Sequence, residues 1–162
     1  MNSRITEMND EKLIDFFNFF CEEIFEGTMS DPEELKQNLP GSLKQHAVFN
    51  QADEMDENQL GKAMGKEEAI SFSKKVVELW SDDFKLNLLL NAVLNEYEKF
   101  DEVTETEIPV GSALSILLIS ASNEVIIQVG KTRVDVNRKS PDATNTIEKT
   151  ILELLNSNVF QF

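Results

Sequence analysis

Cys21 and His46 are the only cysteine and the only histidine of this 162-residue chain, so any thiol–imidazole pair must be made from these two. Such a pair works through the thiolate. Cys21 falls at the end of the apolar run Phe16-Phe17-Asn18-Phe19-Phe20, where burial raises a thiol's pKa and starves it of the reactive form. No serine-nucleophile elbow, phosphate-binding glycine loop or dinucleotide fingerprint occurs. The 30 acidic residues offer many carboxylate pairs for acid–base work, but no spacing singles one out. The chain is therefore expected not to be an enzyme. A lone cysteine also excludes an intramolecular disulfide and a multi-cysteine metal site, which fits a reducing cytoplasm.

The nearest approach to a metal motif runs from Asp56 to Glu67. Calcium takes oxygen ligands from the first, third and fifth places of a twelve-residue loop, with a glycine at the sixth for the sharp turn and a bidentate Glu at the twelfth. Asp56, Asn58, Gly61 and Glu67 stand at the first, third, sixth and twelfth places. Leu60 at the fifth supplies no oxygen, and Ala63 replaces the larger apolar residue that would pair with a second loop. The stretch resembles a damaged EF-hand loop. The expectation is a solvated connection between helices, with no metal and no cofactor; Asp56, Asn58 and Glu67 are the alternative ligand set.

Charge is more informative than any motif. Against 15 Lys+Arg stand 30 Asp+Glu, a net charge of −15, and the excess is unevenly placed. Residues 1–110 hold 25 acids and 10 bases, whereas residues 111–162 hold 5 of each. With 41% hydrophobic residues the chain is not a disordered acidic tail. Its potential repels DNA, RNA and anionic membrane and attracts basic surfaces. The candidate binding face comprises Glu22, Glu23 and Glu26, then Asp31, Glu33 and Glu34, then Asp53, Glu54, Asp56 and Glu57. A further group, Asp101, Glu102, Glu105 and Glu107, follows. Gathered on one surface, such acids would imitate duplex DNA, with its charge about every 1.7 Å of axis.

The expected function is a non-catalytic acidic binding protein that blocks or chaperones a basic protein partner, without direct nucleic-acid or membrane binding. In size and charge alone the chain resembles acidic immunity proteins of bacterial toxins and phage-encoded inhibitors of nucleases. No motif carries that likeness, and it implies an immunity- or anti-defence-type inhibitor, with nucleic-acid mimicry as one form.

Hydropathy spacing predicts the elements that must hold these acids. Asn9 caps a helix over Asp10–Glu26, with Gly27 just past its end. Leu13, Phe17, Phe20 and Ile24 form its stripe, widened by Phe16, Cys21 and Phe25, with Phe19 beside it. That arc exceeds one face, so the helix is central in a bundle or partly covered by another chain. A short helix capped by Ser30 and carrying Pro32 stops at Pro40-Gly41. Ser42 caps the next segment, to about Ala52. Lys66–Trp80 and Phe84–Phe100, joined at Ser81-Asp82-Asp83, form an antiparallel helical hairpin.

The texture changes near Pro109. Ser112–Asn123 is apolar and serine-rich; Leu114–Ala121 within it reads as a fully buried strand or as a short buried helix ending at Asn123, and its β-branched and small residues slightly favour the strand. Glu124–Val129 and Thr132–Val136 flank Gly130-Lys131, a glycine-first hairpin turn. Ser140-Pro141-Asp142 opens a last helix through Ile147, Ile151, Leu154 and Leu155. Arg133, Arg138 and Lys139 are expected to be exposed. The predicted fold is α+β and mostly helical: an acidic helical bundle over 1–107, then a neutral α+β module over 108–162 with a small antiparallel β-meander or hairpin, three strands favoured, covered by the C-terminal helix. No leader and no membrane span is predicted, and the expected location is the cytoplasm. An alternative function is a homo-oligomeric adaptor, a homodimer included, using Phe16, Phe19, Phe160 and Phe162.

Overall fold

The computed structural model describes residues 3–51, 54–100, 105–138 and 141–160. A one-turn helix, α1 (Ser3–Thr6), leads into α2 (Asp10–Gly27). The Asn9 side chain accepts from the Lys12 N–H, and Asp10 and Glu11 meet the positive end of the helix dipole. The broad apolar arc of α2 is absorbed within the chain: Leu13, Ile14, Phe16, Phe17, Phe20 and Ile24 are buried. Phe20 meets Trp80 edge-on at 4.9 Å between ring centroids, Phe16 meets Tyr97 at 5.2 Å and Phe17 meets Phe72 at 5.9 Å. Each such pair adds about 0.5–1.5 kcal/mol beyond its area burial.

That packing corrects the expected hydrophobic interface. Phe16 is wholly buried in the core, and Phe160 is buried against Phe72 at 6.0 Å, so neither is free to meet another subunit. Phe19 is half-buried against the rings of Tyr97 and Phe100. Phe162 lies outside the described residues.

Four short helices follow: α3 (Pro32–Gln37), α4 (Gly41–Lys44), α5 (Ala47–Gln51) and α6 (Glu57–Leu60). Asp31 rather than Ser30 caps α3, its carboxylate accepting from the Glu34 N–H at 2.9 Å. The segment expected as one helix after Ser42 is broken at Gln45-His46, and Ser42 instead donates to the Glu148 carboxylate. The long pair is α7 (Lys66–Asp82) and α8 (Phe84–Tyr97), which pack on each other as predicted. Asp83 forms the break between them and caps α8 through the Leu86 N–H. Because α8 ends at Tyr97, Phe100 falls beyond the inward stripe and is exposed.

The main correction is α9 (Val110–Ala121), a helix where a strand was favoured. It lies among α2, α3, α6 and α10, and most of its residues are buried. A strand there would need ladder partners on both sides, whereas a helix satisfies its backbone internally. The sheet is thus a two-stranded antiparallel hairpin, β1 (Glu124–Val129) and β2 (Thr132–Asn137), with Val125 opposite Val136 and Ile127 opposite Val134. Gly130 takes φ of +57° in its turn, as the glycine-first signal requires.

The hairpin packs chiefly on α2 and α8, while α10 (Pro141–Leu155) packs on α9 and α7 through Ile147, Ile151, Leu154 and Leu155. Gly27 admits the close approach of α2 to β1, since a Cβ there would stand 2.1 Å from the Gln128 carbonyl oxygen. A single buried cluster runs from Ile5 to Phe160. The change of charge near Pro109 is therefore no gap in the packing.

Candidate functional site

A groove of about 710 Å³ opens beside α2. Asn18, Cys21, Glu22 and Phe25, spaced i, i+3, i+4 and i+7, form one wall; Gly111, Ser112, Leu114, Ser115 and Leu118 of α9 form the other. Pro32, Leu35 and Lys36 of α3, Phe49 of α5 and Leu60 of α6 close its ends and floor. Helical spacing explains the contents: on α2 the buried aromatic face turns toward α7 and α8, and the groove receives its flank.

The walls are tied together from outside. The Ser122 hydroxyl lies 3.0 Å from the Leu35 carbonyl oxygen, and the Asn123 N–H donates to the Asn38 carbonyl at 2.7 Å, fixing α3 to the end of α9. Val110 N–H donates to the Lys62 carbonyl at 2.8 Å and Met64 N–H to the Ile108 carbonyl at 2.9 Å, which fixes the segment after α6 to the start of α9. At the rim, buried Asp15 accepts from the Tyr97 hydroxyl at 2.7 Å and from the Glu105 N–H at 2.8 Å. Burial, then the Asp15 carboxylate, pushes the Tyr97 hydroxyl well up, so it remains a donor.

Of the predicted acids, two belong to this groove. Glu22 and Glu105 line it directly. Glu33 and Glu34 are exposed in the first turn of α3, and Glu57 is exposed on α6, both helices that contribute other residues to the lining. Glu23 lies within electrostatic reach of Glu22 and Glu26 on its own helix and of Glu96 on α8. The Glu23 carboxyl is held above the ordinary range, first by partial burial and then by the charges of Glu26, Glu96 and Glu22. Among the described residues, no ion pair reaches Glu22, Glu23 or Glu26. Asp31 and Asp56 serve as helix caps, Glu54 is exposed, and Asp53 lies outside the described residues.

The alternative metal set does not form a loop. The helical turn α6 occupies the middle of the twelve-residue pattern, and Asp56 accepts from the Gln59 N–H at 2.9 Å while the Gln59 side chain accepts from the Asp56 N–H at 3.1 Å. Asn58 stands within that turn and Glu67 in the first turn of α7. Among the described residues, no three His, Cys, Asp or Glu side chains converge as metal ligands. His46 is engaged at both ring nitrogens, Nδ1 accepting from the Val48 N–H at 3.2 Å and Nε2 lying 3.1 Å from the Asn156 side-chain oxygen. Burial pushes the Cys21 thiol far up, away from the thiolate.

Arg138, expected on an exposed strand, is instead 8% exposed. Its Nη1 donates to the Ser120 and Ser122 carbonyls, both at 2.9 Å, and Asp83 lies 3.9 Å from its Nε. The side chain clamps the C-terminal end of α9 to the start of α8. Arg133 is exposed, and Lys139 lies outside the described residues.

The groove's other side chains, Asn18, Leu35, Ser112, Ser115 and Leu118, were not foreseen. Ser112 and Ser115, three apart in an otherwise apolar run, carry the missed signal: two small polar groups at helical spacing mark one face of a helix. Among the described residues no helix is long and apolar enough to cross a membrane. Compared with protein-family models, curated proteins and solved structures, the chain shows no match.

Proposed function

We propose that the protein is a non-catalytic acidic binding protein that captures a basic protein partner, in the manner of an immunity- or anti-defence-type inhibitor acting in the cytoplasm. The observation that carries this reading is the crowded carboxylate group Glu22, Glu23, Glu26 and Glu96, in which, among the described residues, only Glu96 has a basic partner, Lys99 at 3.2 Å. Partial burial, and after it the charges of Glu26, Glu96 and Glu22, raise the Glu23 carboxyl. A folded protein that keeps like charges together forgoes some stability, and a cationic partner restores it on binding. The remaining acids of residues 1–110 extend the field beyond contact distance and steer encounter.

The test is the rate of association with a Lys-rich peptide. Raising ionic strength from about 0.01 to 0.1 M shortens the screening length from about 30 to about 10 Å. Association should slow at least about tenfold over that range. A rate that is flat with salt would sink the proposal.

A further inference from the structure

We infer that the groove between α2 and α9 is the docking site for one amphipathic, basic helix of the partner. This rests on the acidic-capture reading and names the element captured. Length is the first argument. The α2 wall runs from Asn18 to Phe25, eight residues or about 10 Å of helix, the span of i, i+3, i+4 and i+7 anchors on a bound helix.

Backbone chemistry is the second argument. Both walls are helices whose main-chain groups, beyond the first turn of α9, are bonded within themselves, so an extended peptide would find no strand edge to pair with and would bury most of its own N–H and C=O groups unsatisfied. A helix brings its backbone already satisfied and presents only side chains. Charge is the third. Glu22 and Glu105 stand in the lining, with Lys36 the one cation among the described lining residues. A second copy of this chain would bring its own −15 to that rim, whereas a helix with Lys or Arg beside its apolar stripe brings the opposite sign. Inside, Leu35, Leu114 and Leu118 receive apolar anchors. The Ser112 and Ser115 hydroxyls, which form no hydrogen bond among the described residues, meet polar groups at the stripe's edge.

The experiment uses three helical peptides of equal length: Leu on one face with Lys on the other, the same Lys with Ser replacing Leu, and the same Leu with Glu replacing Lys. Binding is followed by titration of labelled peptide and by amide chemical shifts of the whole chain. The Leu/Lys peptide should bind at least about tenfold tighter than the Ser/Lys peptide, with shifts at Leu35, Ser115 and Leu118. Ser115→Trp, which fills the groove, should abolish that preference. Should that variant fail to fold, Phe25→Ala removes a wall residue that is 53% exposed and should reduce the preference in the same direction.

Equal, salt-sensitive binding of both Lys peptides would overturn the docking inference and leave acidic capture standing. Shifts confined to Glu23, Glu26 and Glu96, or an undiminished preference in folded Ser115→Trp, would do the same. Failure of both Lys peptides to bind, or equal binding of the Leu/Glu peptide, would overturn both.

Discussion

The two ends of α9 carry the same kinds of residue and do opposite things. At the C-terminal end, Ser120 is buried, accepting from the Trp80 indole N–H at 2.8 Å and donating to the Ile116 carbonyl at 2.5 Å, while Arg138 closes over the last carbonyls. At the N-terminal end, Ser112 and Ser115 face an open groove with no hydrogen-bond partner among the described residues. Serine in an apolar helix is thus a structural bolt at one end and an available polar group at the other. The difference lies in what the neighbouring helices present. Trp80 brings a donor that must be satisfied when buried, and α3 and α6 stop short of the other two hydroxyls.

The sharpest way to break this contrast is at the bolted end. Trp80→Ala removes a wholly buried ring from the contact with Phe20 and should cost about 3–5 kcal/mol. With about 2–4 °C per kcal/mol for a chain of this size, thermal denaturation should show a fall of about 6–20 °C. A smaller loss would mean that this end is not the fixed one. Ser120→Ala keeps the packing but strands the indole N–H, and chemical denaturation should show about 1–3 kcal/mol lost with little change in slope.

At the carboxylate group of Glu22, Glu23, Glu26 and Glu96 the expected effect is smaller and has the opposite sign. Because the folded Glu23 carboxyl lies above its ordinary value of 4.5, ionising it opposes folding. That penalty is absent below the ordinary carboxylate range and is complete once pH has risen past the raised value. Glu23→Gln should therefore raise Tm by about 1 °C at neutral pH and leave it unchanged at about pH 3. A gain that persists in acid would point to packing instead of charge. Ser115→Ala, at the open end of α9, should move stability by less than about 0.5 kcal/mol. A loss matching that of Ser120→Ala would show that the groove hydroxyl is structural, and the contrast between the two ends would disappear.

Local signals were legible where they needed no partner. Asn9, Asp31 and Asp83 cap helices because a short polar side chain can reach an unpaired N–H one turn on, although Ser30 was the expected cap at the second. Gly130 marks the hairpin because the turn needs positive φ. Legibility failed where nearly every position was apolar. In Ser112–Ala121 only small hydroxyls, Ser112 and Ser115, hint at the helical period, and the strand expectation rested on β-branched and small residues, a propensity that tertiary burial overrides. Phe16 and Phe160 read as surplus apolar surface because the partners that cover them, Tyr97 and Phe72, are far away in sequence.

The sequence by itself determined the total charge and its confinement to residues 1–110, the long helices α2, α7 and α8, and the β1–β2 turn, because each depends on composition or on residues within a few positions. Only the tertiary structure decided that α9 is helical, that Arg138 is buried, and that Asn18–Phe25 and Gly111–Ile119 face each other across a groove. Those outcomes depend on which surfaces meet. Two helix flanks some ninety positions apart in the chain carry no mark of each other until the aromatic core of α2 has set the angle between them.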